Sequence, residues 1–181
     1  MPMTPLLREL LSANRQAQHP DAKAALTACG LGLRGGPVWG VGSVTVQGEF
    51  YSPALPHEIG APAVIVPAFE GGELTDLVAI SLRTRATKTR LGYATFLGAD
   101  WIDRARDGGA PLRLFNDPLK WLACGQRGAV LLDRSDAPFV LADVPLIGCD
   151  DDSTVTKLGE LMQRPVRLPQ FFVRELDHAR P

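Results

Sequence analysis

Residues 63–82 read Ala63-Val-Ile-Val-Pro-Ala-Phe-Glu-Gly-Gly-Glu-Leu-Thr-Asp-Leu-Val-Ala-Ile-Ser-Leu82. Two apolar runs, Ala63 to Phe69 and Leu74 to Leu82, flank a Glu70-Gly71-Gly72-Glu73 centre. Glycine takes positive φ without steric cost, and a tight hairpin needs that at both central positions of its turn. Val64, Ile65 and Val66, then Leu77, Val78 and Ile80, leave neither run a polar face. Strands of this kind are covered on both sides, so the stretch predicts a central hairpin.

Outward from the hairpin, a chain of 181 residues with 45% hydrophobic and 22% charged residues is ordinary for one globular domain. The expected division is a helical segment over 1–34, an α+β domain over 35–175 and a tail over 176–181. No apolar run nears the roughly 18 residues of a membrane span. Met1 to Ala17 is mixed and amphipathic rather than basic then apolar, which argues against a signal peptide and for a soluble, cytoplasmic protein. A net charge of −1 removes any global electrostatic case for nucleic acid. Cys29, Cys124 and Cys149 form no C-x-x-C pair and lie near no His at ligand spacing, so they read as three buried, reduced thiols.

Thr4 to Ala17 predicts a first helix with Thr4 as N-cap and Pro5 at its first position. Asp21 is the expected cap of a second helix ending before Gly30. Val38 to Gln47 reads as a strand in which Gly40 and Gly42 mark a bulge or a close backbone approach, and Phe50 to Pro62 reads as a loop. Beyond the hairpin the pattern predicts strands over Leu91–Leu97, Leu112–Phe115 and Gly128–Asp133. It predicts helices over Asp100–Asp107 and after Asn116-Asp117-Pro118. Ala137 to Ala142 can pair as a strand with Gly128–Asp133. A short apolar strand then runs into Asp150-Asp151-Asp152 and a helix carrying Val155, Leu158, Leu161 and Met162. Val166–Leu168 and Phe171–Val173 can add an edge strand.

Two clusters carry candidate chemistry. Arg83, Arg85, Lys88 and Arg90 form the one basic cluster, a ridge able to neutralise phosphates or a solvated turn between strands. Asp150 and Asp152, two apart after a strand, can offer oxygens to a hard divalent cation. The same acids suit a helix start, with Asp152 or Ser153 capping it, and capping is the preferred reading. The serines lack a G-x-S-x-G context, and His19, His57 and His178 lie in loops or the tail, which argues against a catalytic triad. Gly35, Gly36, Gly40 and Gly42 fit no phosphate-loop order.

The hairpin, followed by Lys88-Thr-Arg-Leu-Gly92 and Leu97-Gly98, resembles the region preceding the Toprim core in primase- and primase–helicase-like proteins of phages and integrated elements. Pro111-Leu-Arg-Leu-Phe115, Pro118-Leu-Lys-Trp-Leu122 and Gly128-Ala-Val-Leu-Leu-Asp133 are similar to proteins of such elements, so the resemblance spans about residues 60–133. It implies a role in DNA replication of a mobile element. Through Glu70-Gly71 and Asp150-Asp-Asp152, it also implies an acidic set of Glu70, Asp150 and Asp152 around Mg²⁺.

The expected fold is α+β, a mixed, mostly antiparallel sheet around the 63–82 hairpin with flanking helices. The expected function is a non-catalytic accessory or nucleic-acid-associated protein without a cofactor, whose partners are single-stranded nucleic acid or replication proteins. The alternatives are a Mg²⁺-dependent, Toprim-like phosphoryl-transfer enzyme, and a protein-interaction module using the apolar N-terminal helix.

Overall fold

The computed structural model describes residues 3–31, 39–108, 110–132 and 136–163. The chain combines helices and strands, as expected, but builds two sheets rather than one. β1 (Gly40–Gln47), β2 (Phe50–Pro53), β3 (Ala61–Glu70), β4 (Glu73–Ser81) and β5 (Thr87–Thr89) close into a barrel in the order β1-β2-β5-β4-β3. All its pairings are antiparallel except β2 with β5. Closure leaves the barrel without a free edge.

The hairpin is its longest element. Glu70 pairs with Glu73 across Gly71 and Gly72, whose φ angles of 57° and 84° are those of a two-residue turn with positive φ at both centres. The unbroken apolar runs have a plain origin, because the two faces of the hairpin serve different cores. Ala63, Ile65, Leu77 and Ala79 pack with Val44, Tyr51 and the Leu10–Ala13 side of α1 (Pro5–Ala17). Val64, Val66, Val78 and Ile80 pack with Phe115, Leu119, Trp121 and Val130 of the second half. Fully burying such a side chain is worth about 1.5–3 kcal/mol.

The segment Phe50–Pro62, expected as a loop, contains β2 and the first residues of β3. Gly48 and Glu49 make a tight turn, since Gln47 pairs with Phe50. Only Tyr51 of β2 is buried, and one inward residue is too short a pattern to read as a strand. At Gly40 the expected close approach is realised. A Cβ there would lie 2.2 Å from the backbone carbon of Ala13, so α1 rests directly on β1. Asn14 Nδ2 donates to the Trp39 carbonyl at 3.1 Å across the same contact.

Thr4 caps α1 as expected, its hydroxyl accepting from the Leu7 N–H at 3.2 Å with Pro5 at the first position. α2 (Pro20–Ala28) starts earlier than a cap at Asp21 would allow. His19 is the N-cap without a side-chain hydrogen bond, and Pro20 opens the helix because its fixed φ suits the first turn.

The second sheet runs β6-β8-β7-β9, with β6 (Phe96–Leu97), β7 (Leu112–Phe115), β8 (Ala129–Leu131) and β9 (Ile147–Cys149). β8 and β9 both pair with β7 in parallel. α3 (Ala99–Arg106), α4 (Pro118–Ala123), α5 (Ala137–Leu141) and α6 (Asp152–Gln163) complete this half. Ile102, Ala105, Leu112, Leu114, Ala137 and Leu141 form its own core. Asp117 caps α4 as expected, accepting from the Leu119 and Lys120 N–H groups.

Three expectations in this half are corrected. Leu91–Thr95 is not strand, because its backbone N–H groups turn to a side chain rather than to a neighbouring strand. Ala137–Leu141 is helix, and β8 is flanked by β6 and β7 instead. The α6 start is held by Asp151, not by Asp152 or Ser153. The Asp151 carboxylate accepts from the Thr154 N–H at 2.7 Å and the Ser153 hydroxyl at 2.6 Å. Residues 166–173, expected as an edge strand, lie outside the described residues, as do most of 31–37 and the tail. Cys124 is exposed rather than buried, and Cys29 and Cys149 are half-buried; all three are free. No helix of the described residues is long and apolar enough to cross a membrane.

Candidate functional site

Among the described residues the best-organised polar group is Asp76, fully buried within β4. A register shift at Ala68/Phe69 leaves Thr75 as an extra residue opposite them, and Asp76 follows at once. Its Oδ1 accepts from the N–H groups of Leu77 at 2.7 Å, Leu91 at 2.9 Å and Arg90 at 3.2 Å. Its Oδ2 accepts from Tyr93 at 2.9 Å and Ala94 at 3.2 Å. One carboxylate thus replaces a strand partner for the whole 90–94 turn, which carries the chain from the barrel to β6. That turn presents Tyr93, 71% exposed, to the surface. The acid binds backbone donors only, which makes it a structural pin.

Arg90 belongs to a second polar cluster. Its Nε donates to Glu9 Oε2 at 3.1 Å, while the buried Tyr51 hydroxyl donates to Glu9 Oε1 at 2.8 Å. Burial, and then the adjacent Glu9 charge, push the Tyr51 pKa far above its ordinary value. The phenol therefore stays protonated and keeps donating. The cluster fastens α1 to the barrel.

These contacts bear on the predicted cationic ridge. Arg85 pairs with Asp117, Lys88 with Glu49 at 3.0 Å and Arg90 with Glu9 at 3.1 Å. Arg83 alone of the four is exposed without an acid partner among the described residues. The ridge does not exist as four free charges; three of its members tie the barrel to other elements or to the β1–β2 turn.

Nor are Glu70, Asp150 and Asp152 brought together. Among the described residues no group of three His, Cys, Asp or Glu side chains is placed to hold a metal ion. Glu70 is exposed at the hairpin turn, and Asp152 is exposed in the first turn of α6. Asp150 is consumed locally. It accepts from the Asn116 N–H at 3.0 Å and pairs with Lys120 at 3.2 Å, its side chain 4% exposed. Asp151, held by the Ser153 hydroxyl and the Thr154 N–H, titrates at about 2 instead of 3.8. Burial, then Asp150 and Asp151, push the Cys149 thiol upward, which favours its protonated form.

What stays open is apolar. Between α1 and the hairpin lies a groove of about 430 Å³ lined by Leu7, Leu10, Leu11, Phe69 and Leu74, with Glu73 at its rim. That volume is within the range of ligand pockets. Leu7 and Leu11 are 39% and 45% exposed, and Met3 adjoins them in sequence at 44%. Comparison with family models, with curated proteins and with solved structures finds no match.

Sequence reasoning passed over Asp76, Glu9 and Tyr51. Asp76 had a signal, being the only charge between Leu74 and Leu82, in a strand buried on both faces. A carboxylate there must find donors. Glu9 had none, because its partners lie 42 and 81 residues away.

Proposed function

We propose that the protein is a non-catalytic accessory module that binds another protein through the groove between α1 and the β3–β4 hairpin. What carries this reading is the contrast between spent polar groups and an open apolar face. Among the described residues every buried side-chain polar atom has a partner within the protein. Leu7 and Leu11 meanwhile keep two fifths of their surface in water beside a concave wall. Exposed leucines that line a groove, rather than standing singly, are what a partner's apolar side chains dock against. On the primase-like resemblance of residues 60–133, the partner would belong to the replication machinery of a phage or integrated element. Neutralisation of three of the four ridge cations weighs against nucleic acid as the direct ligand.

The test is a photo-crosslinking residue introduced at Leu11 and, as a control, at the exposed Thr156 of α6, in the native host. The expected result is one defined protein adduct from Leu11 only, abolished by Leu7→Glu in a chain that still melts cooperatively. Absence of an adduct, or the same adduct from both positions, would sink the reading.

A further inference from the structure

The groove does not end at the hairpin. Phe69 lines it on one side and, on the other, a second cavity of about 270 Å³ whose walls include Pro67, Trp101, Trp121 and Gln126. Trp101 and Arg104 then line a third cavity of about 430 Å³ that reaches Ala110 and Pro111. Phe69 thus borders the first and second depressions, and Trp101 and Arg104 border the second and third, in a row from α1 over the hairpin to α3.

Its chemistry is specific. Phe69, Trp101 and Trp121 supply aromatic walls. The Trp121 ring is almost wholly buried, its indole N–H spent on the Gly128 carbonyl at 2.8 Å, so it backs the cavity from behind while Phe69 and Trp101 form its open walls. The Trp101 indole N–H and the Gln126 side-chain amide have no acceptor among the described residues, and both residues are half-buried against the cavity. Two donors beside aromatic walls suit a backbone whose carbonyls carry no internal hydrogen bonds, which is the polyproline II conformation. Charge adds direction. Glu73, Asp100 and Asp107 are exposed along the path without a hydrogen-bond or ion-pair partner among the described residues. The one cation on it, Arg104, lies over the Trp101 ring at 4.9 Å and holds that ring in place.

We infer that the Phe69–Trp101–Trp121 path takes an extended, proline-containing segment of a partner protein that carries positive charges. Proline rings lie on the aromatic walls, peptide carbonyls accept from Trp101 Nε1 and the Gln126 amide, and Arg or Lys side chains face Asp100 and Asp107. The inference rests on the interaction-module reading but is read out on different residues, so either can fail alone.

The test uses the full chain and a labelled peptide of Arg-Pro-Leu-Pro repeats, followed by fluorescence anisotropy. Control peptides replace every Pro by Ala, or every Arg by Glu. Saturable binding is expected, at least tenfold weaker for each control peptide. Trp101→Ala, and separately Asp100→Asn with Asp107→Asn, should weaken it by a similar factor. The double variant changes only exposed side chains, so it reports on the path even where Trp101→Ala loosens α3. Thr156→Ala, on α6 and lining none of the three depressions, should leave this peptide's affinity within twofold. No saturable binding by the parent protein overturns the proposal. So does a parent affinity that both the Trp101 and the aspartate variants leave within twofold. Equal binding of the alanine peptide would show sequence-blind electrostatics and overturn it as well.

Discussion

Asp76, inside β4, and the Asp150–Asp152 run, just after β9, are both acidic features, and they behave in opposite ways. The run looks like chemistry, three carboxylates in a row before a helix. Each member is nevertheless occupied locally or left in water: Asp150 with Asn116 and Lys120, Asp151 with the first turn of α6, Asp152 exposed. Asp76 looks like an interruption in an apolar strand, yet it gathers the N–H groups of Leu77, Arg90, Leu91, Tyr93 and Ala94. Density of charge in sequence is a poor guide to its importance. A single charge where none should be buried is a better one, because leaving it unpaired costs several kcal/mol.

That contrast can be broken at its strong end first. Asp76→Ala removes the acceptor of the Leu91, Tyr93 and Ala94 N–H groups at one stroke. Each buried donor left unsatisfied costs about 1–3 kcal/mol, so the expected loss is about 3 kcal/mol or more in chemical denaturation. A variant within 1 kcal/mol of the parent would show that the 90–94 turn holds itself.

At the acidic run the effect should be smaller and indifferent to metal. Asp150→Asn with Asp152→Asn gives up the Lys120 ion pair but keeps an acceptor for the Asn116 N–H. A loss of about 1–2 kcal/mol is expected, with the melting midpoint unmoved by Mg²⁺ or Mn²⁺ in parent and variant alike. A midpoint that rises with either ion in the parent and not in the variant would revive the cation site with Glu70. An ion-free variant more stable than the parent would also revive it, since repelling carboxylates would then have been relieved.

The smallest effect belongs to Asp151. Its folded pKa lies below its unfolded one, so the stability it lends is complete above about pH 4. That stability is lost as pH falls from 3.8 towards 2. Thermal midpoints of the parent and of Asp151→Ala should differ near neutrality and converge towards pH 2. Parallel curves across that range would take the cap role away from this residue.

Much of the fold was legible because local rules and burial agreed. Thr4-Pro5 and Asp117-Pro118 start helices where capping chemistry puts them, and Gly71-Gly72 turns the chain where two positive φ angles are needed. Barrel closure was not legible. It depends on β2 meeting β5 through Phe50 and Thr89, a pairing of two short strands with no pattern of their own. The helix over Ala137–Leu141 was hidden by an apolar run too short to show a period. The candidate site divided in the same way. The first helix was visible in the sequence as an amphipathic, apolar element, whereas the partners that neutralise Arg85, Lys88 and Arg90 come from distant parts of the chain.

The distance between Glu9 and Arg90 has a consequence during synthesis. Glu9 leaves the ribosome 81 residues before the guanidinium that fastens it. At the usual 5–20 residues per second, the N-terminal helix waits roughly 4 to 16 s for its latch. Throughout that interval Leu10 and Ala13, which end buried against β1 and the hairpin, stand uncovered beside Leu7 and Leu11. The nascent chain therefore shows a wider apolar stripe than the finished protein.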